Sequence, residues 1–143
     1  MILQKDGRIE LTRPQIRENG CYYMCLLRDI NMYTNMSMSA ETIADGFYKL
    51  FLKRGWIREN TYVENAEAIL NWGGVKCIYT DKHETPDRMC ARNEFEFLYW
   101  RHPEVGGHFT CGNGRGIVTY DPWGVSKAAT EGALLSKRIF RIT

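Results

Sequence analysis

The chain has 143 residues and a mass of 16.6 kDa, with 44% hydrophobic and 25% charged residues. This size and composition are typical of one soluble globular domain that can build a hydrophobic core. The 19 basic and 17 acidic residues nearly cancel, and they are interleaved along the chain. Because nucleic-acid-binding proteins usually concentrate their basic residues in a patch, we expect no nucleic-acid partner.

The sequence shows no membrane or export segment. No stretch approaches the roughly 18 apolar residues of a membrane-spanning helix. The first eight residues contain no apolar core of signal-peptide length. The five cysteines are an odd number in a chain without an export signal, which favours reduced thiols over a disulfide framework. We therefore expect a cytoplasmic protein that has no membrane partner.

The first half of the sequence has the pattern of helices. Asn19-Gly20 is a turn signal, and residues 21–30 are apolar on every face, as in a buried helix. Cys21 then lies in the first turn of that helix. A polar loop with several methionines is predicted over residues 31–38.

Two more helices are predicted in this half. Ser39 is placed to cap the first, over about 40–54, where apolar residues recur at helical spacing until Gly55. The second is predicted over about 62–71 and stops at Gly73-Gly74.

The second half changes to the period of two that is typical of strands. A polar loop over about 81–92 separates the first predicted strand from the others, and a short helix near 127–135 precedes the last. The predicted strands cover residues 75–80, 94–100, 107–111, 115–120 and 137–142. Helices followed by an antiparallel sheet indicate an α+β domain.

The predicted hairpin brings His108 and Asp121 onto one face of the sheet. If Asn113 and Gly114 are the central turn residues, position 108 pairs with position 119. His108 and Asp121 are then diagonal neighbours, close enough for their side chains to meet. The opposite face, with Phe109, is predicted to be the core face. This prediction depends on turn length, because a slip of one residue would put the two side chains on opposite faces.

Four residues have the types and the chain order that thiol catalysis needs. A cysteine nucleophile needs a base, the base needs an orienting group, and the oxyanion needs a donor. Cys21 at a helix N-terminus, His108, Asp121 and Gln15 provide these types. Taken singly, each also has an ordinary explanation: a buried inert thiol, a surface histidine, a turn-forming Asp-Pro and a surface glutamine.

The combination of motifs resembles a known clan. The spacing Gln15-x5-Cys21, the strand Gly107-His108-Phe109 and the dipeptide Asp121-Pro122 are similar to the papain-like cysteine peptidases. Within that clan they resemble the bacterial peptidases that trim bacteriocin leader peptides, and their stand-alone relatives. The resemblance implies one papain-like domain over residues 1–143, with the nucleophile on a buried helix that packs on an antiparallel sheet.

The resemblance also implies roles for the four residues. Cys21 would be the nucleophile, His108 the general base and acid, Asp121 the orienting group and Gln15 the oxyanion donor. The substrate would be a peptide or protein, or the amide bond of a related thiol amidase, and no cofactor or metal is implied. The chain departs from its relatives at Tyr22-Tyr23, where a small residue is common. This departure predicts a narrower cleft.

Two other interpretations stay open from the sequence. Cys21, Cys25, His108 and Cys111 are ligand types that suit zinc, although residues three apart on a strand point to opposite faces. The same fold could also serve as a catalytically silent module that binds a peptide or protein. Trp123 is placed either to shield the imidazole–carboxylate pair or to pack in the core.

Overall fold

The computed structural model describes residues 1–80 and 83–143, so two residues of the predicted loop over 81–92 lie outside the described residues. The described chain forms two compact units, Met1–Val75 and Lys76–Thr143. Each unit is internally well packed. Within residues 1–80 and 83–143, no helix is long and apolar enough to cross a membrane.

The Met1–Val75 unit is helical around an apolar core. Its α-helices are α1 (Gly7–Thr12), α2 (Pro14–Asn19), α3 (Cys21–Thr34), α4 (Tyr48–Lys53) and α5 (Ala66–Trp72). A π-helical turn over Thr42–Phe47 leads directly into α4. The core includes Ile16, Leu26, Leu27, Ile43, Phe51 and Ile69, which are fully buried.

Helix α3 begins where the sequence predicted and ends later. It continues through Thr34, so the predicted loop over 31–38 is wrong in its first half. The helix end is stabilised locally: the Asn31 amide donates to the Met36 carbonyl, and Asn35 adopts the left-handed conformation of a helix C-terminus. The polar residues at the start of this segment therefore extend the helix and end it at Thr34, instead of forming the predicted loop.

The second predicted helix is present but begins as a π-helix. The Ser39 hydroxyl accepts from the Thr42 N–H, as predicted for a cap, and Gly55 follows the helix with a positive φ. Wider π-helical turns leave carbonyls for other donors. Here the Tyr23 hydroxyl donates to the Ile43 carbonyl, and the side chain of Arg13 donates to the Ala44 carbonyl. The π-helical turn thereby anchors residues on both sides of the segment from Gln15 to Cys21.

Helix α5 is shorter than the predicted helix over 62–71. It starts at Ala66 because the Asn65 side chain caps it by accepting from the Ala68 N–H. The preceding residues turn back on themselves, and Ile57 and Val63 form an isolated β-bridge.

The Lys76–Thr143 unit is a five-stranded antiparallel sheet with one short helix. The sheet order is β1-β5-β2-β3-β4. Its elements are β1 (Cys77–Tyr79), β2 (Glu94–His102), β3 (Gly106–Gly112), β4 (Val118–Tyr120), α6 (Lys127–Glu131) and β5 (Ala133–Ile142). The helices of the first unit and this sheet confirm the α+β class. The predicted helix over 127–135 is four residues too long, because β5 pairs with β2 from Ala133 onward.

The β3–β4 hairpin differs from its predicted register. Gly112 pairs with Val118 and Cys111 with Tyr120, with a register shift between Cys111 and Gly112. The connection is therefore five residues long, not two. The predicted core face is also wrong in part. His108 and Thr110 are buried, while Phe109 and Tyr120 are half-buried and Val118 is exposed, because α6 contacts β3 as well as β2 and β5.

Candidate functional site

His108 and Asp121 form a buried hydrogen-bonded pair. The His108 Nε2 lies 2.7 Å from the Asp121 Oδ1, and both residues are 9% exposed. Extending the observed pairing of Cys111 with Tyr120 by one residue sets Asp121 opposite Thr110, two positions from His108. The two residues are therefore diagonal neighbours, as the sequence predicted, although they reach that relation through a different register.

The Asp121 carboxylate accepts four hydrogen bonds. Besides the His108 Nε2, its Oδ1 accepts from the Trp123 N–H at 2.9 Å. Its Oδ2 accepts from the Ser126 N–H at 3.0 Å and from the Ser126 hydroxyl at 2.5 Å. The carboxylate is thus fixed in one orientation by donors on both of its oxygens.

These contacts determine the charge of Asp121. Burial raises the pKa of its carboxyl, but the hydrogen bonds from His108, Ser126 and the Trp123 N–H outweigh it and lower the pKa to about 2. Asp121 is therefore ionised at neutral pH and can only accept hydrogen bonds. The His108 Nε2 must then carry a hydrogen, and in the neutral ring Nδ1 is the acceptor nitrogen.

The turn after β4 creates this network. Gly124 donates its N–H to the Asp121 carbonyl and has a φ of +95°, which closes a tight turn through Pro122. The chain then reaches Ser126, whose hydroxyl also accepts from the Ala129 N–H and caps α6. The Ser126 hydroxyl thus accepts from the helix and donates to Asp121.

Two residues on β2 lie against this part of β3, one on each face of the sheet. On the face away from His108, Tyr99 lies against Gly107, where an added Cβ would come within 2.1 Å of the Tyr99 hydroxyl, so a larger residue there would displace the Tyr99 ring. Trp100 pairs directly with His108 across the strands. Its indole N–H donates to the Thr110 hydroxyl at 2.9 Å, which fixes the indole beside the histidine on the same face.

Cys21 is the first residue of α3, and its side chain is half-buried. Gly20 precedes it as the N-cap, with ordinary dihedral angles of −92° and 18°. An added Cβ at Gly20 would lie 2.5 Å from the Ile16 carbonyl oxygen. The α2–α3 junction is therefore so tight that only glycine fits before the cysteine.

Gln15 lies in the first turn of α2 and is half-buried. Its carbonyl lies 3.3 Å from the Thr61 hydroxyl, which shares its single hydrogen with the nearer Asn60 carbonyl. Thr61 is 1% exposed and has a φ of +70°, which is unfavourable for a β-branched residue. The backbone at Gln15 is therefore supported by a residue in a strained conformation.

The Tyr22-Tyr23 pair has two different environments. Tyr23 is 1% exposed and its hydroxyl bonds to the π-helical turn, while Tyr22 is half-buried. Burial raises the pKa of Tyr23 well above its ordinary range. Tyr23 therefore belongs to the core of its unit, which leaves Tyr22 as the one of the two that could shape a cleft.

The structure brings together His108 and Asp121 within one unit, and it places Gln15 and Cys21 on the successive helices α2 and α3 of the other. All five cysteines are present as thiols. Among residues 1–80 and 83–143, no three His, Cys, Asp or Glu side chains are grouped as metal ligands.

Sequence reasoning missed Ser126 and Trp100. The predicted helix start near 127 put Ser126 at a cap position, which was a signal for its hydrogen bond to α6. Its second bond, to Asp121, depends on the turn that follows β4. Trp100 could have been paired with His108 only with the strand register known.

The chain belongs to the family described as Protein of unknown function, DUF261, which matches residues 1–142. No curated protein and no solved structure matches it.

Proposed function

We propose that this chain is a cysteine hydrolase that cleaves peptide or amide bonds. Cys21 would be the nucleophile, His108 the general base and acid, Asp121 the orienting group and Gln15 an oxyanion donor. The observation that carries the proposal is the buried His108–Asp121 pair, in which an ionised carboxylate fixes the imidazole tautomer. We also infer that the α+β fold is of the papain-like type, since a helix begins at Cys21, β3 carries His108 and Asp121 directly follows β4.

The proposed reaction starts with transfer of the Cys21 proton to the His108 Nδ1. The resulting thiolate attacks the substrate carbonyl carbon, and the oxyanion that forms accepts from the Cys21 N–H and the Gln15 amide. As the first helical residue, Cys21 has an N–H with no acceptor within its own helix.

The tetrahedral intermediate then collapses. The C–N bond breaks, the His108 imidazolium gives its Nδ1 proton to the leaving amine, and an acyl-thioester stays on Cys21. A water molecule, deprotonated by His108, hydrolyses the thioester and returns the thiol. Throughout the cycle Asp121 stays ionised and stabilises the imidazolium without taking its proton.

The first test is alkylation of the native protein by iodoacetamide from about pH 5 to 9, with mass spectrometry to locate the label. Cys90 is a matched internal control, since it is also half-buried. Burial and then the carboxylates of Glu96 and Glu94 raise its pKa to about 12. We expect rapid labelling of Cys21 that persists at acidic pH and falls at least about tenfold in His108→Ala, with little labelling of Cys90.

The same experiment separates the proposal from its alternative. If Cys21 follows an ordinary thiol titration and His108→Ala leaves its rate unchanged, the hydrolase proposal fails. A catalytically silent module that binds peptides would then be the better description. For the active enzyme, Cys21→Ala should abolish turnover of a peptide substrate while circular dichroism shows an unchanged fold.

A further inference from the structure

An ion pair is buried in the sheet unit, away from the His108–Asp121 pair. Lys137 Nζ lies 3.0 Å from Glu96 Oε1, and the two side chains are 1% and 0% exposed. The ammonium also donates to the Arg88 carbonyl at 2.9 Å. Buried ion pairs gain little net stability, because both charges lose their hydration. The main contribution of this ion pair is therefore to hold neighbouring backbone in place.

Glu96 holds the turn between β3 and β4. Its Oε2 accepts from the Gly114 N–H at 3.0 Å and from the Gly116 N–H at 2.8 Å. These two glycines have φ angles of +92° and +82°. The intervening Arg115 N–H donates to the Asn113 side chain, while the N–H groups of the two glycines converge on one point and form a nest for an anion. In this protein the anion is the chain's own carboxylate.

The contact between Glu96 and the turn also extends into β3. An added Cβ at Gly112 would lie 2.4 Å from the Glu96 Oε2, so the strand and the carboxylate are in close contact. Gly112 is where the register changes, since it pairs with Val118 while Cys111 pairs with Tyr120. The five-residue turn and the register shift therefore both lie against Glu96.

The register at this point decides which way Asp121 points. Side chains alternate between the faces of a sheet, so a slip of one residue would move Asp121 away from His108. We propose that Glu96, neutralised by Lys137, is a positioning residue for the His108–Asp121 pair. It acts by fixing the length and register of the β3–β4 turn. This inference rests on the proposed function for its catalytic meaning.

The test uses Glu96→Gln and the nitrogen NMR spectrum of the histidine rings. Glutamine keeps the shape of the side chain but presents an NH₂ group where an acceptor is needed. The chain has three histidines, so the His108 signals can be assigned with His83→Gln and His102→Gln. In the native protein we expect the His108 ring to show a single Nε2–H tautomer.

Glu96→Gln should replace this signature by a mixture of tautomers, with the bonded Nε2–H resonance lost. Asp121→Asn, which removes the carboxylate itself, is the positive control for loss of the bonded Nε2–H resonance. Glu104→Gln is the matched negative control, because Glu104 forms an exposed ion pair with Lys127 and should leave the signature unchanged. A folded Glu96→Gln protein with the native His108 tautomer would overturn the proposal.

A second variant keeps the test decisive if Glu96→Gln does not fold. Gly116→Ala strains only the turn, because its Cβ would have no neighbour closer than 3.8 Å while its φ is unfavourable for alanine. We expect a partial loss of the bonded Nε2–H resonance, and an unchanged spectrum would overturn the proposal. These spectra do not depend on Cys21, so an unreactive Cys21 would refute the hydrolase and leave the positioning role intact.

Discussion

The two units hold their candidate residues by different means. In the Lys76–Thr143 unit, Asp121 is fixed by hydrogen bonds to its side chain, two of them from Ser126. In the Met1–Val75 unit, Cys21 and Gln15 are placed by their backbone. A glycine junction leads into the cysteine, and a carbonyl–hydroxyl contact supports the glutamine.

This difference indicates how each unit should respond to substitution. A side chain that is held by hydrogen bonds can lose its reactivity while the backbone stays in place, because an isosteric substitution changes only the few atoms that make those bonds. A residue held by its backbone moves only when the surrounding packing is forced to shift. Substitutions in the sheet unit should therefore affect reactivity first, and those at the helical junction should affect stability first.

Asp121→Asn should have the largest effect on reactivity. If the amide oxygen keeps the two Ser126 donors, its NH₂ group faces the His108 Nε2, which must then act as an acceptor. The ring would carry its hydrogen on Nδ1, so it could not take the thiol proton. We expect turnover and Cys21 alkylation at about pH 6 to fall by about 10²–10⁴-fold, with the fold retained.

The control for this variant is Asp45 of the helical unit, a half-buried carboxylate that pairs with Lys49 and, at 3.5 Å, with Arg13. Asp45→Asn should leave Cys21 alkylation unchanged. An Asp121→Asn protein with native reactivity would show that the carboxylate does not orient the imidazole, and the comparison between the two units would lose its basis.

Gly20→Ala should have the largest effect on stability in the helical unit. The new methyl group would lie 2.5 Å from the Ile16 carbonyl and 2.9 Å from the Ile16 Cα, so α2 and α3 must move apart. We expect a loss of about 1–3 kcal/mol in the free energy of unfolding, measured in urea.

Gly7→Ala is the matched control, since no atom lies within 4 Å of its added Cβ and alanine favours a helix. It should be neutral or slightly stabilising. If Gly20→Ala is as stable as the native protein, the α2–α3 junction is adaptable, and Cys21 is not held by its backbone.

Much of the fold could be predicted from local patterns. The period-3.6 segments and the period-2 segments gave the helices from α3 onward and the strands in the right order, because burial of one face acts on neighbouring residues. The short helices α1 and α2 were not predicted. Caps at Ser39 and the glycine at position 55 were also predictable, since they need only a few adjacent residues. The helix ends at Thr34 and Ala66 were not, because they depend on particular side-chain contacts.

The hairpin shows why the rest was beyond sequence reasoning. Asn113-Gly114 favours a two-residue turn, but the carboxylate of Glu96, 18 and 20 residues away, draws two N–H groups around it. The partner of Cys111 is therefore Tyr120 instead of the predicted Gly116, a shift of four residues. Because side chains alternate between the two faces of a sheet, a shift by an even number of residues leaves Asp121 on the same face as His108. The predicted pair was right although the predicted turn was wrong.

Ser126→Ala should have the smallest effect of these variants. It tests how the Ser126 hydroxyl contributes to the charge of the His108–Asp121 pair. Removing the hydroxyl takes away a hydrogen bond that lowers the Asp121 pKa, and it also uncaps α6. The folded pKa of about 2 lies below the ordinary 3.8, so ionised Asp121 stabilises the fold above about pH 4. That stabilisation is lost as the pH falls through the folded value.

We therefore expect Ser126→Ala to lower the free energy of unfolding by about 1–2 kcal/mol at neutral pH. The loss should be smaller near pH 2, where Asp121 is partly protonated and the lost cap accounts for most of the effect. Asn65→Ala is the control, because Asn65 caps α5 with a side chain that does not titrate. Its cost should be the same at both pH values. Equal pH dependence of the two variants would mean that the Ser126 hydroxyl stabilises the helix and contributes nothing to the charge of Asp121. The sheet unit would then hold its carboxylate through backbone donors, much as the helical unit holds its cysteine.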